Sequence, residues 1–337
     1  MINATLYYRQ GEPDSQKAIE DIKVVGERLP HNLILVDVDT DSDLKARFEG
    51  KTPMARIGPY TLQKGFGQQE LEVALGAAID RAARLAKDDD KAYQQRVERG
   101  KNYSNADRFV NWFSHHYLAL FNFVLFLYVG LPFAAPVLMK EGATGAARAI
   151  YTIYSPLCHQ LAFRSWFLFG EQAYYPRSLA NISGVSTYEA MMGLNPAADE
   201  KTDTFIFDAR NFIGNDQVGY KVALCERDVA MYGALLLFGL IFAMTGKKIK
   251  PVKWYAWLAI GLVPIAVDGF SQLPGLIVGL PDIINRESTP FLRTLTGVLF
   301  GLMTAWYLYP LIEASMKETR SMFAYKKVVV DQIQKKD

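Results

Sequence analysis

Four long stretches of this chain are almost free of charge, and they constrain its fold more than any other feature. Tyr117–Met139 runs for 23 positions without Asp, Glu, Lys or Arg, Val229–Gly246 for 18 and Thr294–Ile312 for 19. Trp254–Pro281 runs for 28 positions with Asp268 as its one charge. A helix needs about 20 apolar residues to cross the hydrocarbon core. Four such runs predict an all-α membrane bundle of four transmembrane helices, and so a multi-pass protein of the cell membrane in contact with its lipids. Tyr117, Tyr128, Trp254, Tyr255, Trp257, Trp306 and Tyr307 lie in or near the runs, and those nearest the ends suit an interfacial aromatic belt.

Lys247, Lys248, Lys250 and Lys253, with no acid among them, fill the short loop between the second and third runs and place it in the cytoplasm. Four crossings then put both termini inside. Arg96, Arg99, Lys101 and Arg108 before the first run agree, as do Lys317, Arg320, Lys326 and Lys327 after the last. No cleavable signal peptide is visible, because Met1 opens a polar, strand-like segment. The predicted organisation is a soluble domain at 1–86, a charged helical linker at 87–116 and a membrane domain at 117–316. That membrane domain carries a large extracytoplasmic insertion at 140–227, and a basic cytoplasmic tail comes after it at 317–337. Residues 145–170 are apolar enough to raise the question of a fifth crossing. Arg148, His159 and Arg164 make one costly, so an interfacial or re-entrant helix is expected there.

The soluble part reads as strand, helix, strand, helix, hairpin, helix. Ala4–Tyr8 alternates as a strand, residues 14–29 have helical spacing, Asn32–Val38 is a second strand and Asp43–Glu49 a short helix. A hairpin around Gly58-Pro59 and an alanine- and leucine-rich helix from Gln68 complete one small α/β domain. This order resembles the glutaredoxin branch of the thioredoxin fold. Gly11-Glu12-Pro13-Asp14-Ser15 stands where that family has Gly-Cys-Pro-Tyr-Cys, and Thr52-Pro53 where it has a cis proline. The resemblance implies a cis bond at Pro53. It does not carry over the redox activity, because Glu12 and Ser15 replace both cysteines and thiol–disulfide exchange needs a thiolate. A docking or binding role toward a protein partner, such as an extended peptide beside Pro53, is what remains.

Other chemistries are excluded more simply. With 37 basic and 35 acidic residues the net charge is only +2, which gives no electrostatic case for nucleic acid. Neither a GxxxxGK[ST] loop nor a GxGxxG turn after a strand is present. Two cysteines cannot build a disulfide-dense scaffold or a four-cysteine zinc ribbon. His115 and His116 read as flanking residues of the first run.

The polar residues in and beside the apolar runs converge on one depth. Asp268 lies 14 residues past Trp254, roughly 21 Å along a helix from the cytoplasmic end. Gln272 comes one turn later, Asp228 opens the second run at its outer end and Arg293 the fourth. Cys158, His159 and Arg164 lie in the loop on that side. A carboxylate inside a membrane is costly and is paired or functional. Arg293 is the leading partner for Asp268, with Arg227, Arg286 and Arg164 in reserve. Two readings stand side by side: a salt bridge tying helices together, or a ligand or catalytic site using Asp268, Arg293, His159, Arg164 and Asp228.

The ordered motifs Cys158-His159-Gln160, Arg164-Ser165-Trp166-Phe167, Cys225-Glu226-Arg227-Asp228, Tyr232-Gly233, Asp268-Gly269, Gln272, Arg286-Glu287-Ser288, Arg293 and Thr296-Gly297 resemble a prokaryotic multi-pass membrane family, domain of unknown function 2085. The resemblance covers roughly residues 150–312, with a long insertion near 171–220. That family commonly has Cys-x-Arg-Cys where this chain has Cys225-Glu226-Arg227-Asp228, which weakens a CxxC redox or zinc reading. It implies an architecture and a site without a reaction or a cofactor.

For the two cysteines three readings remain open. Cys158 and Cys225 could form a disulfide if the outside is oxidising. His159, Cys225 and Asp228, with Cys158 or Asp268 as a further ligand, have residue types that suit zinc. Or both thiols are simply packed. The functional expectation is an outer-face polar site for a lipid or quinone-like ligand. The alternatives are a membrane scaffold or assembly factor gripping a partner through residues 1–86, and a small-solute transporter.

Overall fold

The computed structural model describes residues 2–87, 91, 95, 98–100, 102–195, 204–272 and 286–334. The chain divides into two compact units. One comprises Met1–His116 with Ala314–Asp337, the other Tyr117–Glu313.

The first unit is an α/β structure with a mixed sheet. Its elements are β1 (Asn3–Tyr8), α1 (Pro13–Arg28), β2 (Asn32–Asp37), α2 (Ser42–Arg47), β3 (Met54–Ile57), β4 (Tyr60–Leu62) and α3 (Gln68–Lys87). The strand order is β2-β1-β3-β4, with β1 parallel to β2 and antiparallel to β3. Parallel strands bury both faces, and β1 does so by alternation. Ala4 and Leu6 face Ala18, Ile22 and Val25 of α1 and Leu71 and Leu75 of α3. Tyr7 turns the other way and stacks on Phe48 with ring centroids 4.2 Å apart.

That second face is covered by the chain's C-terminus. Val329 is buried there, with Ala324, Tyr325, Val328 and Ile333 packed around it. Gln332 reaches the edge strand β2. Its Oε1 accepts from Leu35 N at 3.1 Å, and its Nε2 donates to Leu35 O at 2.6 Å. An unpaired strand edge invites unwanted pairing, and one amide closes this one. Arg320 donates to Asp43 Oδ2 and to Ser114 O, both at 2.9 Å. The described residues of the segment expected as a basic cytoplasmic tail therefore form a helix with an apolar stripe, packed within this unit. Lysines and arginines recur along it, but Phe323, Val329 and Val330 are buried apolar positions, beside the buried Arg320 and Ser321. The expected linker also ends in structure. Asp107 and Ser104 form a reciprocal cap, with Asp107 Oδ2 accepting from Ser104 N at 2.8 Å and Ser104 Oγ accepting from Asp107 N at 3.2 Å.

The second unit is helical, with a small sheet inserted. Its helices are α4 (Asn105–Lys140, beginning in the first unit), α5 (Thr144–Tyr154), α6 (Tyr188–Met192), α7 (Phe205–Asn211), α8 (Glu226–Met244), α9 (Trp254–Phe270, with π-helical turns at Trp257–Leu262) and α10 (Pro290–Gln334, ending in the first unit). Among the described residues three helices are long and apolar enough to cross a membrane: α4, α8 and α10. The expected fourth crossing, Trp254–Pro281, is represented by α9, a shorter apolar helix of 17 residues; 273–281 lie outside the described residues. α5 has 11 residues, about 16 Å of helix, too short to cross a core of about 30 Å.

The described residues of the expected insertion include a small sheet. β5 (Ser165–Leu168), β6 (Gly214–Asn215) and β7 (Gly219–Cys225) form an antiparallel sheet in the order β5-β7-β6. Phe163, Phe167, Tyr175, Tyr188 and Phe205 make an aromatic cluster beside it. Ser165 pairs with Cys225, and the chain turns from β7 directly into α8.

Two glycines of α10 bring it into direct contact with α8. A Cβ on Gly297 would lie 2.7 Å from Arg227 O of α8, and one on Gly301 would lie 2.2 Å from Met231 O. This small-xxx-small spacing lets two backbones touch. It sets the first turns of α8 and α10 side by side.

Replacing Gln332 with Ala should lower the stability of the first unit by about 1–2 kcal/mol, the usual cost of leaving a partly buried amide pair unsatisfied. Amide exchange over β2 should accelerate in step. Unchanged exchange at Leu35 would show that the C-terminal helix does not hold that edge.

Candidate functional site

Four separate segments supply the polar side chains of the second unit. They are the irregular stretch after α5, the β7–α8 junction, the end of α9 and the start of α10. Asp268, in the last turns of α9, is 5% exposed. It accepts from Arg227, from Arg286 Nη2 at 2.6 Å and from Ser288 Oγ at 2.8 and 2.9 Å. Gln272 folds back so that its Nε2 donates to Asp268 O at 2.6 Å.

Arg293 is not the partner of Asp268. It is 3% exposed and belongs to a second cluster, donating to Phe163 O and Glu226 Oε2, each at 3.2 Å, and to Glu287. Glu287 is also gripped by Arg164, through Nε at 2.8 Å and Nη2 at 3.0 Å. The reserve partners Arg227 and Arg286 hold Asp268, and the third, Arg164, joins the other cluster. The reason is local supply. The segment before α10 brings Arg286 and Ser288 to Asp268, while Glu287 between them turns toward Arg293. A hydrogen bond from Arg164 Nη2 to Gln272 Oε1 at 3.4 Å links the two clusters.

Glu226, Glu287 and Ser288 were not singled out as site residues from the sequence, although they sit inside its ordered motifs. Their signal was adjacency to basic residues within otherwise apolar flanks. Lys221 was also missed. It is fully buried in β7, where Nζ donates to Gln160 O at 2.7 Å and to Arg210 O at 2.5 Å. Burial lowers its pKa to about 7.

Cys158 and Cys225 are free thiols in this structure, where a disulfide was one of three open readings. Cys158 Sγ accepts from the backbone N–H of Cys225 at 3.3 Å. The Cys225 thiol also donates to Cys158, which lowers the pKa of Cys158 and, together with burial, raises that of Cys225. The metal-ligand trio read from the sequence is corrected by one member. Cys158, Cys225 and Asp228 bring their ligand atoms within 4.8 Å of one another, and His159 is exposed outside that group. Adjacent residues in a non-helical segment point in different directions, and here Cys158 points inward.

A cavity of about 330 Å³ joins these features. Its walls are Leu157–Leu161, Arg164, Cys225, Arg227, Asp228, Gln272 and Arg293. All of the expected site residues of this unit except Asp268 and Arg286 line it directly. Asp268 holds Arg227, which does, and Arg286 holds Asp268. Arg227 Nε and Glu226 Oε1 are buried with no hydrogen-bond partner among the described residues.

Residues 209–307 match the family described as DUF2085, predicted membrane protein. The matched segment contains Cys225–Asp228, Asp268, Gln272, Arg286 and Arg293. The chain is also similar to Uncharacterized protein MJ1492 of Methanocaldococcus jannaschii. The two are 27% identical over 206 residues, spanning 58% of this chain and 92% of that protein. No solved structure matches the chain. The C-terminal region is thus that of a membrane protein with apolar helices, and the comparisons assign it no reaction.

Two measurements test this geometry. In a double-mutant cycle on thermal unfolding in detergent, Asp268→Asn and Arg227→Gln should couple by more than about 1 kcal/mol. Asp268→Asn and Arg293→Gln should add to within about 0.5 kcal/mol; the reverse pattern would restore Arg293 as the partner of Asp268. Lys221 supplies the second. Its folded pKa is depressed, so the unfolded chain binds more protons between about pH 7 and 10.5. Stability should therefore rise with pH through that window, and the rise should vanish in Lys221→Met. A rise of equal slope in that variant would locate the effect elsewhere.

Proposed function

We propose that this is a membrane protein with four crossings, cytoplasmic termini and an outward-facing pocket that binds the polar head of an amphipathic ligand, a lipid or a quinone-like molecule. The observation that carries the reading is the 330 Å³ cavity, walled by polar side chains from separated segments in a unit whose helices are otherwise apolar. Internal consistency supports the orientation. Asp228 and Arg293 open their helices and Asp268 lies near the end of α9, whereas Lys247–Lys253 lie at the opposite ends of α8 and α9. Ligand pockets are concave, with a few polar groups that fix orientation. Here Arg164, Arg227, Arg293, Gln272 and His159 are those groups. Arginines held by acids in a partly dehydrated site favour a strongly hydrogen-bonding head.

A second reading rests on the first unit. Its mixed β2-β1-β3-β4 sheet and the cis peptide at Thr52-Pro53 support the resemblance to glutaredoxin-like folds. Glu12 stands where a redox cysteine would be. It accepts from Thr52 at 2.8 Å, from Ser15 at 2.9 Å and from Lys64 at 3.2 Å. A site so occupied is suited to gripping a partner rather than to reducing one, and would make the chain an assembly factor.

His159→Trp distinguishes the readings. The residue is exposed and lines the cavity, so the larger ring should fill space without unpairing a buried charge. Native mass spectrometry of the purified chain should show a co-purifying lipid or quinone that is lost from this variant. Identical small-molecule content in both proteins would end the ligand reading. Deleting residues 1–100 without loss of a co-purifying protein would end the second.

A further inference from the structure

We propose that Cys158, Cys225 and Asp228 bind one thiophilic divalent cation of the zinc class, as three protein ligands whose fourth partner comes from the cavity. This deepens the ligand-pocket reading and rests on it only for the identity of that fourth partner. The three ligand atoms lie within 4.8 Å of one another. Two thiolates on one tetrahedral ion, with Zn–S of about 2.3 Å, stand roughly 3.8 Å apart, so a small side-chain closure suffices. Two thiolates and a carboxylate are acceptable donors for a borderline-soft ion, and three protein ligands plus an open position is the arrangement of catalytic rather than structural zinc.

The surroundings are those of a built site. Cys225 is the N-cap residue of α8, Asp228 lies in the first turn of the same helix, and Cys158 is buried against the β7–α8 junction. Two of the three are thus fixed at one helix start, and Cys158 is packed beside it with Val222, Ala223 and Leu224. The backbone N–H of Cys225 already points at Cys158 Sγ at 3.3 Å. Such hydrogen bonds orient and stabilise a metal-bound thiolate. Three groups that all become anionic converge here without a basic side chain bonded to any of them among the described residues. A dication between them removes that conflict, and two thiol protons leave as it enters. All three residues also line the cavity, where Arg164, Arg227 and Arg293 would meet an anionic fourth ligand.

The test uses full-length protein purified in detergent under reducing conditions, stripped of metal and titrated with Co²⁺. One equivalent should bind with a thiolate-to-cobalt charge-transfer absorption, and Zn²⁺ should displace it. Cys158→Ser and Cys225→Ser should each abolish that band. Asp228→Asn should weaken affinity by more than the roughly 10–100-fold that loss of an outer-shell partner costs. His159→Ala should leave both band and affinity unchanged. Absence of the band in the wild-type chain, or its survival in Cys225→Ser, would overturn the proposal. The His159→Trp variant separates the two ideas, because it keeps every metal ligand. Cobalt binding in that variant with no difference in lipid content would retain the metal site and remove the ligand pocket.

Discussion

Charge compensation in a dehydrated place governs the second unit. Asp268, Glu226, Glu287 and Arg293 are all nearly inaccessible, and a buried ion costs several kcal/mol unless it is paired and hydrogen-bonded. Each carboxylate here meets at least one guanidinium, and Asp268 meets two together with a hydroxyl. Removing one partner would strand the other, a loss of about 3–5 kcal/mol for pairs of this kind. The arrangement therefore demands that the β7–α8 junction, the end of α9 and the start of α10 arrive together. It also specifies their register more strictly than apolar packing alone would.

The rest of the unit serves that requirement. Gly297 and Gly301 allow α10 to lie directly on the backbone of α8, so Arg293 can reach Glu226. The sheet β5-β7-β6 holds the cysteine-bearing segment after α5 against the same junction, through the Ser165–Cys225 pairing. The cavity is what these supports enclose. Its arginines are committed to acids, so its electrostatics depend on the edges of that network: Arg227 Nε, Glu226 Oε1 and the cluster of Cys158, Cys225 and Asp228.

Much of this was legible in the chain. The charge-free runs gave α4, α8 and α10, because helix length and hydropathy are local properties. The convergence of Asp228, Asp268, Arg293 and the Cys158–Arg164 segment on one end came from counting turns. Pairing within the cluster did not. Whether Asp268 meets Arg293 or Arg227 depends on side-chain direction and on Arg286 and Ser288, which lie in a non-periodic segment. The choice of Cys158 over its neighbour His159 turned on the same kind of detail. The sheet of the insertion was hidden because β5 and β6 are only four and two residues long. The C-terminal helix was hidden because its buried stripe is interrupted by lysines, and its receiving surface, the Tyr7 face of the sheet, lies some 300 positions earlier.

In the proposed orientation, the pocket lies at the end of the apolar helices that faces away from the cytoplasm. Sided thiol labelling reads this directly. In a Cys158→Ser, Cys225→Ser background, His159→Cys should react with a membrane-impermeant maleimide added to intact cells. Lys248→Cys should react only after the membrane is opened. The opposite pattern, or equal labelling of both positions from outside, would contradict it.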